Sequence, residues 1–278
     1  MVDLVRRADS DRYIAALYAP VDKRLSLLAL YAFNAEIAAV RDRVRQPLTG
    51  ETRLQWWRDV VLSTGPGAGA GHPVAESLRA AIDRHGLPRS AFEAYLEARV
   101  FDLYDDPMPS RTDLEGYCGE TAAALIQLSA MILDPAAAPQ NAGLAGHAGC
   151  AQAITGLVRL LPLHRARGQC FVPRDLLAAA GTSPAEFVGS GNEPASGRAV
   201  AAMLALAREH LAAFEGGARQ LPASLRPAFL PVALTRAYLD RIEGNEQSAI
   251  SAVLDISEVR KRWLLFRHAF RGWNGRAS

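Results

Sequence analysis

The stretch KRLSLLALYAFN, residues 23–34, decides the fold class of this chain. Leucine and alanine, which are favourable in helices, make up half of it, and it contains no glycine or proline. Working outward, segments with apolar residues three and four positions apart predict helices over most of the chain, including 20–45, 111–133, 141–164 and 257–271. Because runs of β-branched residues are rare, the sequence predicts an all-α protein.

A second informative stretch is QAITGLVRLLPLHRARGQCFVP, residues 152–173. The apolar spacing in its first part predicts a helix, and residues 170–173 are predicted to leave this helix as a short extended segment. Pro162 lies inside the predicted helix, where a proline removes one backbone hydrogen bond and clashes with the preceding turn, at a cost of about 3 kcal/mol. We therefore expect a kink at this proline.

Size and composition limit the possible classes of protein. A chain of 278 residues can bury a large core, and 50% hydrophobic with 22% charged residues is ordinary for a globular protein. No linker or repeat divides it, so we predict a single domain over 1–278. The net charge of +2 favours no nucleic-acid partner. The N-terminus has no apolar segment of the secretory type, and the three cysteines lack metal-binding spacing.

The two quoted stretches resemble the motif-bearing helices of the squalene/phytoene synthase family. The ALYAF run at 29–33 is similar to the helix before the first aspartate-rich motif, and Arg167, Gly168, Phe171 and Pro173 resemble the exit after the second. The similarity extends from about residue 9 to about residue 243. It implies the isoprenoid synthase fold, with helices around a central cavity.

The resemblance also indicates that both aspartate motifs are degenerate. The first motif would fall at Ala38, Ala39 and Asp42, and the second at Leu160, Leu163 and His164. Family enzymes use Mg²⁺ at these positions to neutralise a departing diphosphate, and Mg²⁺ prefers oxygen ligands. We therefore expect no catalytic residue, no metal site and no cofactor, with Asp42 in an ion pair. The hypothesis is a pseudoenzyme.

One branch of the family, which lacks the aspartate motifs and includes an assembly factor for respiratory NADH dehydrogenase (complex I), is especially similar. The segment 32–44, RLQWW at 53–57 and the Pro162-x-His164 pair carry this likeness. It implies a role in complex I assembly, with complex I subunits or assembly factors as partners. The expected ligand is an isoprenoid or a lipid, and the candidate residues for its anionic group are Arg159, His164, Arg165 and Arg167.

The C-terminal segment 257–273 is predicted to be a basic amphipathic helix. Trp263, Phe266, Phe270 and Trp273 are spaced by three, four and three positions, and arginines such as Arg267 lie on another face. Such a helix is typical of docking on a membrane surface or a partner, although its aromatic face could instead fold back onto the body. The predicted location is the cytoplasm, with peripheral attachment to the inner membrane.

Two alternatives stay open at this point. The first is an active prenyl transferase that condenses two prenyl diphosphates head to head with Mg²⁺ as cofactor. Its carboxylates would have to come from elsewhere, and the candidates are Asp102, Asp105, Asp106, Glu115 and Glu120. The second is a helical scaffold with no cavity.

Overall fold

The protein is described by a computed structural model that covers residues 1–65, 67–189 and 193–273. Within these ranges the regular structure is helical and contains no strand, so the predicted all-α class is confirmed. Helices α1 to α9 are Val2–Ala8, Ser10–Leu17, Val21–Ala38, Val40–Arg43, Pro47–Leu62, Pro73–His85, Arg89–Ala98, Arg111–Cys118 and Ala124–Leu133.

Helices α10 to α18 follow in the second half of the chain. They are Ala142–Arg159, Leu161–Ala166, Arg174–Ala180, Pro184–Val188, Glu193–Ala218, Arg226–Phe229, Thr235–Ile242, Glu246–Ser251 and Glu258–Arg271. Short 3₁₀ turns are found at Arg99–Leu103, Pro139–Asn141, Ala223–Leu225 and Leu230–Leu234, and a π-helical turn, Gly119–Ala123, joins α8 to α9.

Helix α3 is a central element of the core. Every residue from 26 to 33 is buried, so the helix is covered on all sides, as its nearly unbroken apolar sequence requires. Phe33 packs edge-on against Trp57 of α5 and near Phe92 of α7, with ring centroids 5.2 and 5.7 Å apart. One large cluster of buried side chains extends along the chain from Val5 to Ile250.

Helix α10 packs tightly against both the π-helical turn and the long helix α14. Gly149 makes the first contact possible, because a Cβ atom at this position would lie only 2.3 Å from the backbone nitrogen of Ala123. The close approach fixes the position of α10, which carries Thr155, Gly156 and Arg159 toward the interior of the bundle.

Two predicted helices are interrupted in the structure. The predicted helix 20–45 ends at Ala38 and is followed by the short α4. Gln46 is extended because it precedes Pro47, which starts α5. The predicted helix 141–164 stops at Arg159, and Pro162 lies in the first turn of α11, where its missing N–H costs nothing. Where a kink was predicted at Pro162, the structure has two separate helices.

Candidate functional site

A polar cavity of about 430 Å³ lies between α2, α10, α16 and the start of α18. Its charged lining consists of basic and acidic side chains in nearly equal numbers, namely Arg12, Arg99, Arg159, Lys261, Asp9, Asp11 and Asp255. This lining comes from segments that are far apart in the sequence. The presence of this cavity counts against the alternative of a helical scaffold with no cavity.

Two of the cavity's arginines are held by neighbouring acids. Asp9 caps α2 by accepting a hydrogen bond from the backbone N–H of Arg12, and its second oxygen pairs with the Arg12 guanidinium at 2.6 Å. Arg99 pairs with Asp102 at 2.9 Å and also donates to the Tyr117 hydroxyl. These contacts within the protein neutralise the charges of both arginines.

Arg159 differs from these arginines. Its guanidinium lies 4.5 Å above the ring of Tyr238, and its Nε is buried with no hydrogen-bond partner among the described residues. Burial raises the pKa of the Tyr238 phenol to about 12, and the hydroxyl also lacks a partner in the described part of the chain. This corner of the cavity wall therefore contains two buried donors that have no hydrogen-bond partner among the described residues.

Lys261 and Asp11 complete the same side of the cavity. Lys261 donates to Glu258 at 2.8 Å and lies 3.1 Å from Asp255, and its pKa is raised overall by these carboxylates although burial opposes this. Burial and the nearby Asp9 raise the pKa of Asp11.

The positions predicted for the first aspartate motif lie outside this cavity. Ala38 is exposed, Ala39 is half-buried, and Asp42 pairs with Arg167 at 2.9 Å. The ion pair expected for Asp42 is thus present, although its partner comes from the second motif region and not from the flanking arginines. Arg41 pairs instead with Asp105 at 2.9 Å.

The positions of the second motif are also dispersed. Leu160 lines the cavity, whereas Leu163 points to solvent. His164 packs on Phe171, with ring centroids 4.8 Å apart, and both of its ring nitrogens are buried without a partner among the described residues. Burial, assisted by the charge of Arg167, lowers the pKa of His164.

The four residues predicted to bind an anionic group do not form one cluster. Arg159 lines the cavity, and His164 faces an apolar recess. Arg165 donates to the carbonyl oxygen of Ile250 at 3.2 Å, and Arg167 is engaged with Asp42. Of these residues, Arg159 is the one placed to meet a ligand in the cavity.

The carboxylates of the alternative hypothesis are mostly held by other side chains. Asp102 binds Arg99 and the Tyr117 hydroxyl, and Asp105 binds Arg41. Glu115 binds Arg111 and His210, while Asp106 and Glu120 are solvent-exposed. Across the described ranges, no group of three or more histidine, cysteine or acidic side chains could hold a metal ion.

The C-terminal aromatic residues divide into two sets. Trp263, Phe266 and Phe270 are exposed on α18, and Arg267 lies 5.5 Å from the ring centroid of Trp263. Trp273 follows the helix and packs edge-on against Phe214 in the core, at 5.2 Å. The predicted common face therefore excludes Trp273.

Sequence reasoning missed most of the cavity lining, including Asp11, Arg12, Tyr238 and Lys261. The sequence signal for these residues is weak. Asp9, three residues before Arg12, indicates the start of a helix, but it does not indicate that the two side chains face a cavity. The sequence pattern predicts Lys261 as a solvent-exposed basic residue of an amphipathic helix, whereas the structure buries it.

The arrangement of these helices is that of the isoprenoid synthases. A dehydrosqualene synthase solved with a ligand superposes with a TM-score of 0.80 at 17% identity, covering 96% of this chain and 93% of that one. Squalene synthase HpnC from Alicyclobacillus acidocaldarius gives a TM-score of 0.72 at 19% identity, covering 88% and 92%. The predicted isoprenoid synthase fold is confirmed.

The sequence profile described as squalene/phytoene synthase matches residues 5–265, so the chain belongs to this family. Complex I assembly factor 6 of Mus musculus is 29% identical over 242 residues, which are 87% of this chain and 72% of that protein. Presqualene diphosphate synthase of Sinorhizobium fredii is 23% identical over 262 residues, covering 94% and 93%. No helix within the described ranges is long and apolar enough to cross a membrane.

Proposed function

We propose that this protein is a non-catalytic member of the family that supports the assembly of respiratory complex I. The observation that carries the proposal is the chemistry of the predicted motif positions. Ala38, Ala39, Leu160 and Leu163 have no side-chain oxygen, and the remaining Asp42 is held by Arg167 at 2.9 Å.

These residues do not fit a magnesium–diphosphate centre. Mg²⁺ requires oxygen ligands in near-octahedral geometry, usually including carboxylates. A departing diphosphate carries several negative charges, which the family neutralises with such ions. Here the one carboxylate at these positions already has a cationic partner, and His164 is a poor ligand for a hard ion.

The assembly role is supported by the relatives of the chain. The mouse assembly factor 6 matches most of its length, as does the presqualene diphosphate synthase of Sinorhizobium fredii, which is less similar. The assembly role is favoured because the mouse assembly factor is 29% identical to this chain, against 23% for the Sinorhizobium fredii synthase. In such a role the protein would bind a ligand or a partner and would not catalyse a reaction.

The cavity is the proposed site for such a ligand. Three of its four basic side chains are paired with acids, which leaves Arg159 as the cation that can meet an anionic group. The Arg159 guanidinium, which lies 4.5 Å above the Tyr238 ring, would donate charge-assisted hydrogen bonds to an oxygen-rich head group. We therefore propose an isoprenoid or lipid ligand whose head carries a single negative charge, because a diphosphate would leave excess negative charge uncompensated.

The catalytic part of the proposal is tested by incubating the protein with labelled farnesyl or geranylgeranyl diphosphate and Mg²⁺, with a known synthase in parallel. We expect no release of pyrophosphate and no coupled product. Pyrophosphate release that is lost in Asp102→Ala or Asp105→Ala would instead establish the prenyl transferase alternative.

The assembly part is tested by deleting the encoding gene in its host and measuring assembled, active complex I. We expect the level of complex I to fall and to be restored by the wild-type chain and by Asp42→Asn. Restoration by Arg159→Leu should be incomplete if the cavity ligand matters. An unchanged level of complex I after deletion would contradict the assembly role.

A further inference from the structure

Helix α18 carries an unusual amount of exposed apolar surface on one side. Val259, Trp263, Phe266 and Phe270, here called the α18 stripe, recur at three- and four-residue intervals and so share one face. Their exposed fractions are 80%, 55%, 55% and 65%, respectively. Large aromatic side chains arranged contiguously at this exposure mark an interaction site more often than isolated apolar residues do.

The stripe faces outward because α18 is fixed by its opposite side. Lys261 and Leu265 are buried, and Ser257 caps the start of the helix by accepting a hydrogen bond from the backbone N–H of Arg260. At the other end Arg226 donates to the carbonyl oxygen of Phe270 at 3.1 Å. Helix α18 is thus packed on the body of the protein through one face, and the α18 stripe on its other face is exposed.

Arginines flank the α18 stripe on both sides. Arg260, Arg267 and Arg271 lie along one edge and Arg262 along the other, by their helical positions. The acid within the helix, Glu258, is paired with the buried Lys261. The outer surface of α18 therefore combines an aromatic centre with basic margins.

We propose that the α18 stripe docks this protein on an anionic lipid surface. Aromatic rings partition into the boundary between headgroups and acyl chains, and arginines at the margins meet the lipid phosphates. A convex helix with cations on both margins suits a flat anionic bilayer, whereas binding of a partner helix would call for a groove. The opposite face of α18 supplies Lys261 to the cavity wall, so docking would also hold the cavity close to the bilayer.

The proposal is tested by flotation of the full chain with vesicles of phosphatidylcholine alone or with added phosphatidylglycerol. We expect binding to the anionic vesicles that weakens as salt is raised. Trp263→Gln with Phe266→Gln should weaken binding at least about tenfold, since two half-exposed rings lose their apolar contact. Arg260→Gln, Arg262→Gln and Arg271→Gln together should weaken it about 100-fold, at roughly fivefold per arginine.

Matched control variants separate the stripe from general surface effects. Leu48→Gln removes an exposed apolar side chain of α5, and Arg45→Gln with Arg84→Gln removes exposed charges elsewhere. Each should bind as the wild type does, and all variants should keep its melting temperature because the altered side chains are exposed. Trp263→Phe should retain most of the binding.

Some results would overturn the proposal. These are wild-type binding to neither vesicle, aromatic and arginine variants that bind like the wild type, or a loss as large in the control variants. Point variants are preferable to truncation before α18, which would also remove Leu265 and Lys261 from the interior. The outcome is independent of pyrophosphate release and of complex I levels, so the two proposals can fail separately.

Discussion

Replacing Gly149 with alanine should destabilise the protein, although glycine to alanine in a helix normally stabilises it. The added Cβ would lie 2.3, 2.4 and 2.5 Å from the N, Cα and Cβ atoms of Ala123. Ordinary carbon contacts are at about 3.5 Å or more, so the backbone of α10 or of the π-helical turn must move by about 1 Å. Because the obstruction is mostly backbone, a flexible side chain cannot relieve it.

The size of the effect follows from two opposing contributions. Overpacking costs about 1–3 kcal/mol, and loss of the glycine from a helix returns up to about 1 kcal/mol. We expect a net loss of about 1 kcal/mol in the free energy of unfolding. For a chain of this size that corresponds to a fall of roughly 2 °C in melting temperature.

Gly146 provides a matched control on the same helix. An added Cβ there has no atom within 4 Å other than those of its chain neighbours and its own helix, so Gly146→Ala should stabilise by about 0.5–1 kcal/mol. Urea denaturation of both variants measures the two values directly. Shifts of the same sign in the two variants would refute the close packing of α10 on Ala123.

Three further variants test other parts of the structure. His164→Leu should stabilise at neutral pH by about 1 kcal/mol, because it removes two buried nitrogens that have no partner among the described residues, and its advantage should grow in acid. Because the pKa of His164 is lowered in the folded protein, the unfolded chain binds this proton more readily below pH 6.5. The wild type therefore loses up to about 1.4 kcal/mol of unfolding free energy per pH unit as the pH falls from 6.5 toward the lowered pKa. Parallel plots of stability against pH for the variant and the wild type would count against this. Phe33→Ala should cost about 3–5 kcal/mol in urea denaturation, since Phe33 is buried among Trp57, Phe92 and Tyr95, and a loss below 1 kcal/mol would be inconsistent with this core. Asp42→Asn should cost less than about 1 kcal/mol because both partners of its ion pair are nearly half exposed, and a protective effect of Mg²⁺ that disappears in this variant would show that Asp42 binds metal.

The helical elements and a disturbance at Pro162 were predictable because they depend on local patterns. Residues 23–34 are apolar enough to require burial, and a proline's effect on a helix acts within one turn. The apolar repeat of α18 likewise gave its position, although not the fact that Trp273 turns inward to Phe214.

The cavity was not predictable in the same way. Asp11, Arg159 and Lys261 meet only through tertiary packing, and nothing local distinguishes them from charges on solvated helix faces. The ion pair between Asp42 and Arg167 joins residues 125 positions apart in the sequence (167 − 42 = 125). Its geometry therefore depends on how α4 packs against the end of α11. The family resemblance predicted which positions correspond to the motifs, whereas the partners of these residues depend on the tertiary structure.

The most direct test of the central claim is a crystal structure of the protein grown with Mn²⁺ in place of Mg²⁺ and a non-hydrolysable prenyl thiodiphosphate. Anomalous scattering would locate every bound metal ion. We expect no metal ion near Ala38, Asp42, Leu160 or Leu163, with the ion pair between Asp42 and Arg167 intact. Metal ions that bridge the thiodiphosphate to side chains of this region would contradict a non-catalytic protein.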